Sequence, residues 1–169
     1  MTEVRAAVPA DADEVARLHV RSWRSAYRGL IAQDYLDDLS PEAMVDRYTF
    51  GRVGLRLPST LVAVDGAAIR GFATAGLCRD TELPNFGELM ALYVDPAHVG
   101  AGVGTRLLTA ARVRLRTVGV AGAVLWVLDA NTRARRFYER GGWRLDRACR
   151  TGHFGSQTLR LVRYRLDPV

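Results

Sequence analysis

Residues 94–105 read Val94-Asp-Pro-Ala-His-Val-Gly-Ala-Gly-Val-Gly-Thr105. Three glycines, Gly100, Gly102 and Gly104, join the end of an apolar run to the start of an amphipathic one. Glycine admits φ > 0 and lets backbone amides approach a ligand closely. A helix N-terminus adds unpaired N–H donors and a partial positive charge. Together they predict an anion site, most naturally for a pyrophosphate; the competing reading is a turn that closes a corner. A P-loop is excluded, because it needs Gly-Lys-Ser/Thr and the chain contains no lysine. A dinucleotide fingerprint fits poorly, because the spacing is Gly-x-Gly-x-Gly and three strands are expected before it.

Working outward, Glu88 to Val94 reads as the strand leading into this loop, closed by Asp95-Pro96. Gly102 to Val118 reads as the helix leading out, with Leu107, Leu108, Ala111 and Leu115 inward. Gly122 to Leu128 is an apolar strand of the kind buried on both faces. Asn131 to Arg140 is a helix ended by Gly141-Gly142, and Trp143 to Thr151 and Thr158 to Leu166 alternate as an antiparallel pair. Upstream, Thr60 to Val64 and Ala68 to Leu77 form a hairpin about Asp65-Gly66. Val4 to Val8 is an opening strand. Asp11 starts the first helix, with Glu14 as its capping-box partner and Gly29 as its end. A short helical piece is expected over Gln33 to Leu39, and another opens at Ser40-Pro41. The pattern is one α/β domain over residues 1–169, antiparallel in its first half, with a strand-helix-strand unit in the middle.

Composition agrees. The chain has 169 residues, 49% hydrophobic and 25% charged, which is globular and excludes disorder, collagen and coiled coil. The longest apolar stretch is too short for a membrane span, and with a polar start no signal peptide is expected, so a cytoplasmic location is expected. Cys78 and Cys149 are 71 positions apart without Cys-x-x-Cys spacing, and are expected free and buried. His19, His98 and His153 have no metal-ligand spacing, so no metal is predicted. The net charge is +6, carried by 24 basic residues that are all arginine. That excess reads either as codon drift in a GC-rich genome or as anion binding, since Arg holds phosphates bidentately. Nucleic acid is not expected as a partner: there is no aromatic-basic sheet motif and no helix-turn-helix signature.

Twenty-seven residues after Gly104 comes Asn131-Thr-Arg-Ala-Arg-Arg-Phe-Tyr138-Glu-Arg-Gly-Gly-Trp143. With the strand before it, this resembles the second conserved segment of the GNAT N-acetyltransferase superfamily. Leu89 to Thr105 resembles that family's acetyl-CoA motif, a strand followed by Arg/Gln-x-x-Gly-x-Gly/Ala. Trp23-Arg-Ser-Ala-Tyr27-Arg-Gly, with Tyr35-Leu36, is similar to one GNAT branch. The resemblance covers nearly the whole chain, and the two central motifs together are specific. One position departs: Val99 stands where the family has Arg or Gln.

The resemblance implies a mixed, mostly antiparallel sheet of six or seven strands with about four helices. Its central parallel pair would splay. Acetyl-CoA would be the cofactor, its pantetheine arm on the backbone of Leu92, Tyr93 and Val94. Its pyrophosphate would lie on the amides of the loop Val99, Gly100, Ala101, Gly102, Val103, Gly104 and Thr105. Asn131 would hold the pantetheine or simply cap its helix. One or more of Arg133, Arg135 and Arg136 would meet the adenosine phosphate, beside Phe137. Tyr138 would protonate the departing thiolate, or else pack. Glu88 would be the general base or a solvent-facing strand end, with Asp80, Glu82 and Tyr93 in reserve. Trp23 and Tyr27 would wall the acceptor pocket or pack in the core.

The implied activity is acetyl transfer to a primary amine of a small molecule or peptide by direct attack in a ternary complex. The alternative is a catalytically weak CoA-binding sensor or interaction module, which Val99 motivates. Asp34, Asp37, Asp38, Asp80 and Glu82 make the loops expected at the acceptor side acidic, which favours a cationic acceptor such as a polyamine or aminoglycoside. A homodimer would exchange the last two strands.

Overall fold

A computed structural model describes residues 1–51 and 57–169. The described residues form one seven-stranded sheet in the order β1-β2-β3-β4-β5-β7-β6. The strands are β1 (Glu3–Ala6), β2 (Ser59–Asp65), β3 (Ala68–Leu77), β4 (Phe86–Val94), β5 (Gly122–Leu128), β6 (Arg144–Phe154) and β7 (Gln157–Leu166). The helices are α1 (Ala12–Ala26), α2 (Gln33–Asp37), α3 (Pro41–Val45), α4 (Val103–Val118) and α5 (Thr132–Arg140). Two 3-10 turns, Pro9–Asp11 and Pro96–His98, complete them. Every neighbouring pair is antiparallel except β4 and β5. The sheet is therefore the mixed, mostly antiparallel one expected, with five α-helices where about four were expected.

The start of the chain differs from expectation. The first strand stops at Ala6, and α1 starts at Ala12 after a 3-10 turn opened by Pro9. Asp11 makes no side-chain cap bond to α1. Its carboxylate instead takes two bonds from Arg5, at 2.7 and 3.0 Å, and one from the Val8 amide at 2.8 Å. A bidentate guanidinium outcompetes a single capping N–H, so the capping box with Glu14 does not form. Ser40 does cap α3, its hydroxyl accepting from Ala43 N at 3.4 Å.

The sheet has a helix layer on each face. Leu107, Leu108, Ala111 and Leu115 of α4 pack with Tyr138 of α5 and Trp143 on one face, against Leu89, Leu125 and Val127. On the other face α1 buries Val15 and Leu18 against Val62 and Phe72. Burying side chains of this size contributes about 1.5–3 kcal/mol each. Both cysteines are free, but neither is fully buried as expected: Cys78 is half-buried in the loop after β3, and Cys149 is exposed because it lies on the edge strand β6.

The feature that positions the site is a bulge. Ala75 pairs with Leu89 and Thr74 with Ala91, so Met90 is an extra, unpaired residue on β4. A bulge bends its strand and increases the local twist. The parallel pairing of β4 to β5 runs only through Phe86, Gly87 and Glu88. Beyond that point the strands diverge, while β3 stays paired to β4 as far as Val94.

Candidate active site

The divergence opens a cleft of about 720 Å³ between Leu89–Val94 of β4 and Leu125–Leu128 of β5. The edge of Leu89–Val94 that faces β5 has no strand partner. Buried backbone N–H and C=O groups need partners, so this edge suits an extended ligand that carries amides. Leu92, Tyr93 and Val94 all line it.

At one end of the cleft lies the glycine loop. Gly100 and Gly102 have φ of 88° and 84°, and Gly102 is the residue before the first turn of α4. The amides of Val103, Gly104 and Thr105 belong to that first turn and have no intrahelical acceptor. Gly104 lies under the Phe137 ring, where a Cβ would come within 3.3 Å of it. Val99, Gly100, Gly102, Gly104, Thr105 and Phe137 line the cleft. Ala101 and Val103 do not. The Ala101 amide already donates to His98 O, and the Val103 side chain is buried in the core.

Asn131 performs its capping role, its Oδ1 accepting from Ala134 N at 3.2 Å, and it also lines the cleft. Its Nδ2 donors remain for a ligand. Of the three arginines singled out on α5, Arg133 lines the cleft. Arg135 is spent on Asp129 at 2.6 Å and the Tyr164 hydroxyl at 3.0 Å. Arg136 is exposed and points elsewhere, while Arg140, which the sequence reading passed over, lines the cleft. The spacing from Arg133 to Arg140 is seven residues, two helical turns, and that period was the available signal.

Tyr138 faces the cleft from the α5 side and is 9% exposed. Burial pushes its phenol above the ordinary range, and the neighbouring Tyr93 adds to this. Tyr27 and Tyr93 approach each other at 3.5 Å between hydroxyls, and burial raises both. Burial thus biases all three phenols toward their protonated form. Trp23 lines the cleft and also packs in an aromatic group with His19, Tyr27 and Phe154. Trp23 and Tyr27 thus both pack against the apolar group beneath α1 and line the cleft. His19 lies outside the cleft lining; burial, reinforced by the Arg47 charge, pulls it down to about 4.

Glu88 lines the cleft where the strands part, but it is 2% exposed and not a solvent-facing strand end. Its Oε1 accepts from the Arg79 amide and Nε, both at 3.1 Å, and its Oε2 from an Arg79 terminal nitrogen. A carboxylate offers about four lone-pair sites, so one on Oε2 is left. Asp80 is not free either: it accepts from the Trp126 indole N–H at 3.2 Å and from Arg163 at 3.4 Å. Glu82, Asp34, Asp37 and Asp38 do not line the cleft. The acidic loops therefore do not make the cleft wall acidic. Among the described residues no group of three or more His, Cys, Asp or Glu is arranged to hold a metal.

A sequence model of the acetyltransferase (GNAT) family matches residues 15–143. The chain is 31% identical over 132 residues to the uncharacterized N-acetyltransferase YuaI of Bacillus subtilis, covering 78% of this chain and 74% of that one. It is 33% identical over 143 residues to an uncharacterized N-acetyltransferase of Archaeoglobus fulgidus, covering 80% and 88%. The fold is similar to that of the PaiA N-acetyltransferase of Thermoplasma acidophilum solved with coenzyme A. There the TM-score is 0.73 at 18% identity, over 99% of each chain. The match spans both strand-helix units that build the cleft, and the chain belongs to the GNAT acetyltransferase family.

Proposed function

We propose that the chain transfers an acetyl group from acetyl-CoA to a primary amine, with both bound at once. The observation that carries this reading is the β4/β5 divergence at Met90. It opens a passage through the sheet, so two ligands can reach one point from opposite faces. Acetyl-CoA supplies an acyl group already activated as a thioester. The amide-rich loop and unpaired β4 edge suit its pyrophosphate and pantetheine, and Val99 takes nothing from the backbone donors. The amides of Gly100, Gly102, Gly104 and Thr105 would meet the pyrophosphate. Asn131 Nδ2 would meet the arm, and Arg133 and Arg140 the outer phosphates.

In the transfer one N–C bond forms and one C–S bond breaks; the amine gives up a proton and the leaving sulfur gains one. Glu88 takes the amine's proton, directly or through a water, at the site left on Oε2. Tyr138 holds a proton at its hydroxyl for the sulfur. A thiol with a pKa of about 8.5 already leaves readily, so Tyr138 helps more modestly than Glu88. A single passage that admits both ligands needs no acyl-enzyme, and among the described residues no Cys or Ser with a base beside it lines the cleft.

Thiol release from acetyl-CoA across an amine panel tests the reading. General-base catalysis contributes about 10²–10⁴-fold. Glu88→Gln should lower kcat by at least about 10²-fold with acetyl-CoA affinity kept. Tyr138→Phe should lower it by about ten-fold. Unchanged turnover in Glu88→Gln removes the base role. Acetyl-CoA binding without turnover on any amine would leave the sensor or interaction module as the function.

A further inference from the structure

The cleft is lined by arginines on both faces of the sheet. Among the described residues its walls carry Arg79, Arg133, Arg140 and Arg150 against one carboxylate, Glu88. Arg133 and Arg140 belong to α5, on the cofactor face. Arg79 and Arg150 lie on the other face, with Trp126, Tyr27 and Phe154. Three carboxylates there are each paired. Glu88 is held by Arg79, Asp80 by Trp126 and Arg163, and Asp146 by Arg163 at 2.9 Å. Arg163 is thereby neutralised. Arg79 commits its Nε and one terminal nitrogen to Glu88, leaving the other.

Arg150 is the exception. Its guanidinium lies 4.3 Å from the centroid of the Trp126 ring and makes no ion pair among the described residues. Stacking holds a guanidinium in place without using its N–H donors. The outcome is a positioned, unpaired cation at the acceptor mouth, beside an aromatic wall. A polyamine entering there would meet like charge.

We propose that the acceptor is a small primary amine that also carries a carboxylate, received by Arg150 with the spare Arg79 nitrogen beside it. Its body lies against Trp126, Tyr27 and Phe154. This rests on the acetyltransferase reading above and names its substrate class. A guanidinium binds a carboxylate bidentately, which orients the amine end toward Glu88.

The test compares matched acceptors: phenylalanine against phenylalaninol, methionine against methioninol, and spermidine as a cationic amine. The acids should exceed the alcohols in kcat/KM by about ten-fold, the scale of one charge-assisted hydrogen bond. Spermidine should fall below both. Arg150→Gln should cost the acids about ten-fold more than the alcohols, and Arg150→Lys should restore part of the difference. Calorimetry on the CoA-saturated protein reads the same preference without turnover. Acids and alcohols within about two-fold of each other, a preference for spermidine, or equal losses in Arg150→Gln would overturn the proposal. Silence of every amine in the thiol assay would fail the acetyltransferase reading alone; the calorimetric comparison then decides the carboxylate, parity or no binding counting against it.

Discussion

Glu88 and Asp11 show how one partner changes what a carboxylate can do. Glu88 is almost wholly buried, and Arg79 both permits that burial and occupies most of its lone pairs. An unpaired buried charge costs several kcal/mol. Arg79→Ala should therefore destabilise the fold as well as slow any turnover, whereas Glu88→Gln keeps shape and most bonds. Asp11 is held by Arg5, whose hydrogen bonds draw its carboxyl below the usual range. Asp11→Ala should cost about 1–3 kcal/mol in urea unfolding at pH 7. The sign follows from the lowered pKa. The contribution is present above the ordinary carboxylate range and is lost as pH falls through the lowered value. The gap between wild type and Asp11→Ala should therefore narrow by pH 3. A constant gap would mean that Asp11 acts through packing.

Two elements shape the cleft through their backbone. β4 departs from β5 where Met90 bulges, and α4 presents its first turn to the end of the resulting cleft. Gly102 connects them at φ 84° with nothing within 4 Å of the place a Cβ would occupy. Gly102→Ala thus meets no clash, only the cost of a left-handed backbone, about 1–2 kcal/mol. We expect the fold to survive and KM for acetyl-CoA to rise several-fold, read by thiol release and thermal unfolding together. An unchanged KM would mean that the loop amides do not carry the phosphate. α5 makes a related point about side chains. Its arginines look equivalent in sequence, yet the helix turns Arg133 and Arg140 to the cleft, Arg135 to Asp129 and Arg136 to solvent.

At the scale of the whole molecule, the sheet carries a helix layer on each face, and this layering half-buries His19. That histidine sits among Trp23, Tyr48, Phe72 and Tyr93 with its Nδ1 on the Tyr48 hydroxyl. Burial lowers it from 6.5 to about 4, so the unfolded chain takes up a proton that the native chain refuses. Stability should fall as pH drops from 6.5 toward 4, by up to roughly 3 kcal/mol. Urea unfolding at pH 7.5, 5.5 and 4.5 measures this. His19→Gln should flatten that slope while leaving the carboxylate losses below pH 4, and an unaltered slope would exclude His19 as the source.

The sequence by itself determined the elements and the two motifs, for reasons that are local. β3 and β5 coincide with their expected bounds, and α4 and α5 start one residue inside theirs, because periodicity and capping residues act within a few positions. The glycine loop was legible because backbone freedom is a property of residue type. Tertiary structure alone decided the rest. Nothing in the run Gly-Glu-Leu-Met-Ala-Leu announces that Met90 is the extra residue, since a bulge is defined by its partner strand. The pairing of Glu88 with Arg79, nine positions away, became visible only when the turn from β3 to β4 laid the two side by side. The acidic residues of the loops are legible as a charge count, but composition does not place charges: the fold leaves Asp34, Asp37, Asp38, Asp80 and Glu82 out of the cleft lining. Arg150 was invisible for the same reason: only the fold lays it on Trp126, 24 positions earlier, and leaves it without a counter-ion.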